Sequence, residues 1–176
     1  MSFSKSAVAL SASLFLVTAY AQNQGGPSDP QIAWIVVTAN TIDINAGKLA
    51  KSRTKNKEVS KFAQLMITDH TAVNKQAGAL AKKLGVKPAD SPTSQSLKAG
   101  AAENVKNLKG LKGAAFDKAY VDHEVAYHQQ VLDAIDKVLI PSAQNAELKD
   151  LIVKVRPAIA AHLDHAKMIQ SDLAKK

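Results

Sequence analysis

Two stretches of this chain carry a helical apolar seam interrupted, near its centre, by a histidine. In FDKAYVDHEVAYHQQVLDAIDKVL, Phe116 to Leu139, the residues Val121, Val125, His128, Leu132, Ile135 and Leu139 recur at alternating steps of four and three, the spacing that puts side chains on one face of an α-helix. Leu148, Ile152, Val155, Ile159, His162, Ala166, Ile169 and Leu173 repeat the rhythm. An imidazole in the middle of such a seam needs a partner, because a buried polar group left unpaired costs roughly 1–3 kcal/mol. The other helices must supply it.

The rest of the chain reads in the same terms. Ser28-Asp29-Pro30 combines a capping side chain with a proline in the first turn, and Ile32, Ile35, Val36, Ala39, Ile42, Ala46, Leu49 and Ala50 trace the apolar stripe of a first long helix ending near Thr54. Asp43 falls on the margin of that stripe. A second long helix is predicted from Lys57 or Glu58 to about Leu84, with Gly85 as its stop. Its stripe is Phe62, Leu65, Met66, Val73, Ala77, Leu80 and Leu84, with Asp69 in the gap after Met66 and His70 beside it. Residues 86–93 contain two prolines and read as a loop. Ser94 to about Leu108 reads as a short extra helix closed by Gly110 and Gly113. The third long helix is the opening stretch, ended by Pro141. The fourth starts near Asn145 and contains Pro157, which is expected to kink or divide it. No strand alternation of useful length is present. The expectation is an all-α chain: a four-helix bundle of two antiparallel hairpins, whose long second connection permits the crossover of ferritin-like folds, with an up-down-up-down order as the alternative.

At 176 residues and 46% hydrophobic, the chain has the length and apolar content of one domain. Residues 1–21 read as a secretory signal: Lys5, an apolar run from Ala7 to Ala19, and an Ala19-Tyr20-Ala21 cleavage site. Residues 22–28 read as a disordered leader and 29–176 as the bundle, which places the mature protein in the periplasm or outside the cell. No later run approaches the ~18 apolar residues of a membrane span. There is no cysteine, so neither disulfides nor thiolate metal sites are available. The formal charge of +8 is carried by scattered lysines with few interleaved aromatics, a pattern of solvated helix faces that gives no reason to expect a nucleic-acid partner but allows peripheral contact with anionic envelope components.

Asp43, Asp69, His70, Glu124, His128 and His162 each lie near the middle of their helix. In a bundle of similar-length helices those midpoints share one level. Imidazole with carboxylate suits zinc, iron, manganese or copper, so His70, Glu124, His128 and His162 are candidate ligands for one transition metal ion. Glu124 and His128 are spaced to share a helix face, and Asp43 and Asp69 are candidates to hold the ligands' outer nitrogens. His123 and His165 are expected at the rim, and Trp34 and Met66 as packing residues. Equally open is a layer of Asp–His hydrogen bonds that fixes helix register without metal. Haem between His128 and His162 would lack a Cys-x-x-Cys-His attachment motif. With no thiol, no glycine-rich phosphate loop after a strand and no G-x-S-x-G, no enzyme chemistry is indicated.

FAQLMITDHTAVN, FDKAYVDHEVAYH and IAAHL resemble the signatures of the bacterial domain of unknown function 4142 family, often labelled a predicted outer membrane protein and grouped with ferritin-like folds. The resemblance covers roughly Ile32 to Leu173. It implies an exported helical bundle in which Asp69, His70, Asn74, Phe116, Asp117, Tyr120, His128 and His162 occupy signature positions, and in which relatives usually carry Glu where this chain has Asp43. The shorter side chain weighs against direct ligation there. The Glu-x-x-His motifs of di-iron bundles are absent: Ile67, Val125 and Ile159 stand three residues before the central histidines, which favours a mononuclear or metal-free layer over a di-iron oxidase. Three functional readings follow: metal sequestration or stress protection, a non-enzymatic envelope protein with a structural polar layer, and, weakest, an oxidoreductase.

Overall fold

The computed structural model describes residues 25–175. The signal reading of residues 1–21, and the start of the leader, lie outside them. The described residues are all-α: α1 (Asp29–Arg53), α2 (Lys57–Lys83), α3 (Pro92–Gly110), α4 (Gly113–Ala134), a π-helical turn (Ile135–Leu139), the short α5 (Ile140–Ser142) and α6 (Ala146–Leu173).

The helix starts follow from local chemistry. Gln31 Oε1 accepts from the Ser28 N–H at 3.0 Å, Asn56 Oδ1 from the Glu58 N–H at 3.0 Å, and Asn145 Oδ1 from the Leu148 N–H at 3.1 Å, each satisfying a donor that the helix itself leaves open. The α2 stop is as expected, with Gly85 at φ 64°, the left-handed conformation that glycine adopts without a Cβ penalty. Three boundaries differ from the sequence reading. The extra helix begins at Pro92 rather than Ser94, because Ser91 caps it, Oγ accepting from the Ser94 N–H at 3.1 Å, and proline fits the first helical position. Pro141 does not end the third long helix. The π-helical turn intervenes, its Ile140 N–H reaching back to the Ile135 carbonyl, and Pro141 lies inside α5. Pro157 does not divide α6, which is one helix throughout. The carbonyl freed by proline belongs to Val153, 48% exposed, while Ile152 and Ile159 anchor the helix on either side in the core, so water can satisfy what proline cannot.

α1 pairs with α2 and α4 with α6, and these hairpins join through α1 against α4 and α2 against α6. α3 leans on α1 and touches α4. The closest passage is at Gly47, where a Cβ would lie 2.8 Å from the Ala63 carbonyl oxygen and 3.1 Å from Ile67 Cγ1. Alanine is ordinarily the better helix former by about 1 kcal/mol, but here α1 and α2 would have to move apart. Gly47→Ala is therefore expected to lower stability by about 1–3 kcal/mol in urea unfolding. A neutral or stabilising result would show that the contact is loose.

Two apolar clusters fill the interior. One gathers Ile32, Ile35, Leu132, Ile135, Ile152 and Ile159, the other Phe62, Met66, Phe116, Tyr120, Val121 and Ala166. On every long helix buried polar residues fall between the segments feeding these clusters: Thr38, Asn40 and Asp43 on α1, His70 on α2, Glu124 and His128 on α4, His162 on α6; Asp117 is buried instead beside Phe116 within the second cluster. A polar layer thus divides an otherwise aliphatic and aromatic core.

Candidate metal centre

His70, His128 and His162 come from α2, α4 and α6 and form a nearly regular triangle, with ring centroids 5.8, 5.3 and 5.6 Å apart for the pairs 70–128, 70–162 and 128–162. All three are buried, at 2%, 1% and 4% exposure. One ring nitrogen from each lies within 4.8 Å of one from each of the others.

Their tautomers follow from what the outer nitrogens touch. His70 Nδ1 sits 2.6 Å from Asn40 Oδ1, while the Asn40 amide donates to the Val36 carbonyl at 2.7 Å. The Asn40 oxygen can only accept, so Nδ1 carries the hydrogen and Nε2 keeps a lone pair. His128 Nδ1 donates to the Glu124 main-chain carbonyl at 2.9 Å, which leaves its Nε2 as the acceptor. His162 Nε2 donates to Asp69 Oδ2 at 2.9 Å, leaving Nδ1. These three remaining nitrogens, His70 Nε2, His128 Nε2 and His162 Nδ1, are buried without a hydrogen-bond partner. Burial pulls the His70 pKa down to about 3, helped by the charges that His128 and His162 would carry, and burial again pulls His128 down to about 4. At neutral pH both rings are uncharged.

Two carboxylates complete the layer. Asp43 Oδ2 lies 3.5 Å from His70 Nε2, and Glu124 Oε2 lies 3.5 Å from His128 Nδ1. Asp43, Glu124 and His128 form a second group whose candidate donor atoms lie within 4.8 Å of one another. Burial raises the Asp43 carboxyl to about 8, against a hydrogen bond with Glu124 that lowers it. Burial, the Asp43 charge and the shared hydrogen bond push Glu124 well above the usual carboxylate range. Burial and mutual repulsion thus favour the protonated form in this pair. The Tyr120 hydroxyl is also buried without a partner.

Of the predicted residues, His70, Glu124, His128 and His162 meet in one layer. Asp43 is not marginal, as the stripe alone suggested, but 3% exposed and inside it, because α1 packs against α2, α3 and α4. Asp69 sits at the layer's edge, its side chain 39% exposed, and orients His162. His123 stacks on Tyr127 at 5.5 Å and His165 meets the Phe62 edge at 5.2 Å, both away from the triangle. Asn40 was missed. Its signal was present: Val36, Asn40, Asp43 and Gly47 repeat at steps of four, three and four, which puts Asn40 on the same face as Asp43.

The Asp43 carboxyl gives a pH signature in metal-free protein. With its folded pKa near 8 against an ordinary aspartate value of about 4, the native state holds one proton more than the unfolded chain between those values. Its contribution is present below about pH 4 and is lost as pH rises through 8. Relative to Asp43→Asn, which has no such group, wild-type stability is expected to fall between about pH 4 and 8 and then level off, as read from denaturation curves across pH. Parallel curves would show that Asp43 is ionised in the folded protein.

The fold and this layer define an all-helical protein with a buried histidine–carboxylate centre. Residues 16–169 match the family described as "Domain of unknown function (DUF4142)", and the chain belongs to that family. No curated protein matches the sequence. Among solved structures, "CopM in the Cu(II)-bound form" is similar, with a TM-score of 0.66 over 84% of this chain and 98% of that one, at 13% identity; the two share a fold. Among the described residues no helix is long and apolar enough to cross a membrane.

Proposed function

We propose that this protein is an exported four-helix bundle of ferritin-like design, released after a signal at residues 1–21, that binds one transition metal ion in its central layer for sequestration or stress protection. The observation that carries the reading is the convergence of three buried, unpartnered imidazole lone pairs. A proton or a water satisfies such atoms one or two at a time. A single cation satisfies all three, and otherwise each costs roughly 1–3 kcal/mol.

On this reading His70 Nε2, His128 Nε2 and His162 Nδ1 are the nitrogen ligands, and a carboxylate oxygen from Glu124 or Asp43 completes the set. Asn40, the Glu124 carbonyl and Asp69 hold the outer nitrogens and so fix the tautomers. Because His70 and His128 stay neutral well below pH 7, protons do not compete for them. The carboxyl pair instead releases a proton on binding, which makes affinity rise with pH. A nitrogen-rich set without sulfur suits copper or zinc ahead of manganese or iron, and the copper-bound state of the similar CopM structure supports copper. The neighbour order α1, α2, α6, α4 around the core supports a ferritin-like crossover. The second reading, a metal-free polar layer in an envelope protein whose basic surface meets anionic polymers, draws on the Asp69–His162 and Asn40–His70 hydrogen bonds, which would also fix helix register.

Elemental analysis of the purified mature protein separates the two. About one equivalent of transition metal per chain, taken up again after chelation, supports the metal reading. Protein that stays metal-free when offered Cu, Zn, Fe and Mn in turn supports the structural one.

A further inference from the structure

Where α1 gives way to α2 and α4 begins, an open cleft of about 880 Å³ enters one end of the bundle, and no residue of the polar layer lines it. Arg53 builds its floor. The guanidinium donates to the carbonyls of Leu108, Lys109 and Leu111 at 3.2, 3.1 and 2.9 Å and lies 5.2 Å from the Phe116 ring centroid, so it ties the end of α3 to α1 and brings a positive charge with it. Lys118 is taken up by Asp122 at 2.5 Å. Lys55 and Lys112 also line the cleft and are exposed, and among the described residues neither has an acidic partner.

The start of α4 adds donors. No side chain caps this helix and its first turn holds no acid. Phe116 is the first residue whose N–H reaches back, to the Lys112 carbonyl at 3.4 Å, which leaves the N–H groups of Gly113, Ala114 and Ala115 open on the cleft wall with the positive end of the helix dipole behind them. One lining residue breaks the pattern. Asp117 is 7% exposed and its Oδ1 has no hydrogen-bond partner. Because side chains on a helix lean toward its N-terminus, a residue three and four positions after Ala114 and Gly113 overhangs that first turn. Cationic groups and main-chain donors therefore meet a buried acceptor. An anion suits the first two, and Asp117 admits only an anion that itself carries a donor.

We infer that this cleft binds hydrogen phosphate, its oxygens held by Lys55, Lys112 and the first N–H groups of α4 and its own O–H donated to Asp117. Inorganic phosphate keeps a proton at neutral pH. Sulfate and phosphodiesters, lipid headgroups included, keep none and meet the Asp117 charge unrelieved.

The test is calorimetric titration of the mature full-length chain, after chelation so that no metal takes part, with inorganic phosphate, sulfate and dimethyl phosphate at neutral pH and low salt. Phosphate is expected to bind at one site per chain, at least about tenfold tighter than either of the others. In Asp117→Asn the amide offers sulfate a donor, so the preference for phosphate over sulfate should collapse to near unity, which a merely structural Asp117 would not produce. A Lys55→Ala, Lys112→Ala double variant, altered only at exposed positions, should bind phosphate at least about tenfold more weakly with unchanged helical content. No saturable phosphate binding, equal binding of sulfate by wild type, a preference that survives in folded Asp117→Asn, or phosphate binding undisturbed in the double lysine variant would each overturn the inference.

Discussion

A His128→Ala, His162→Ala double variant is expected to lose stoichiometric metal while keeping its helices. The expectation rests on the number of lone pairs. Wild type offers three imidazole nitrogens that nothing else in the protein uses, and the double variant offers one, at His70, beside carboxylates that prefer to stay protonated. Losing an outer partner of a metal ligand typically costs 10–100-fold in affinity. Losing two direct ligands must exceed that range. Asn40→Ala and Asp69→Ala, which free the outer nitrogens of His70 and His162, set the internal scale and should each fall within it. Competitive titration against a chelator, with elemental analysis of the same samples, reads all three variants against wild type. A double variant that retains one equivalent with near-wild-type affinity would place the metal elsewhere.

Heating should report the same centre. A ligand that binds only the folded chain stabilises it by about 2.7 kcal/mol at a free concentration 100 times its dissociation constant. For a chain of this size each kcal/mol moves the melting temperature by roughly 2–4 °C, so a rise of about 5–10 °C is expected when copper or zinc is added to metal-free protein. The effect should vanish in the double variant, because its ligands are gone, but persist in Gly47→Ala, whose lowered baseline has a different cause. Calorimetric scans that do not move on addition of Cu, Zn, Fe or Mn would favour the structural reading of the layer.

Most of the fold was legible because each helix carries its own local instructions. The Ser28 and Asn145 starts, the Gly85 stop and the seams on either side of His128 and His162 depend on spacing and capping chemistry alone. The level of the polar layer was legible for the same reason, since helices of similar length bring their midpoints together whichever way they run. What was not legible depends on neighbours. Asp43 looked marginal on its own stripe and became buried only because α1 packs against α2, α3 and α4 at once. Asn40 gained meaning only with His70 opposite, 2.6 Å from its amide oxygen. The π-helical turn and the uninterrupted α6 run against local rules for Pro141 and Pro157. Tertiary packing on both sides of each proline decides those cases, and no window of sequence contains it.

The most direct examination is an anomalous-diffraction map of crystals loaded with copper or zinc. The account predicts one ion between α2, α4 and α6, within about 2.0–2.2 Å of His70 Nε2, His128 Nε2 and His162 Nδ1, distances ordinary for such ligands. A map with no ion among those three nitrogens, or with metal held only by surface side chains, would contradict it.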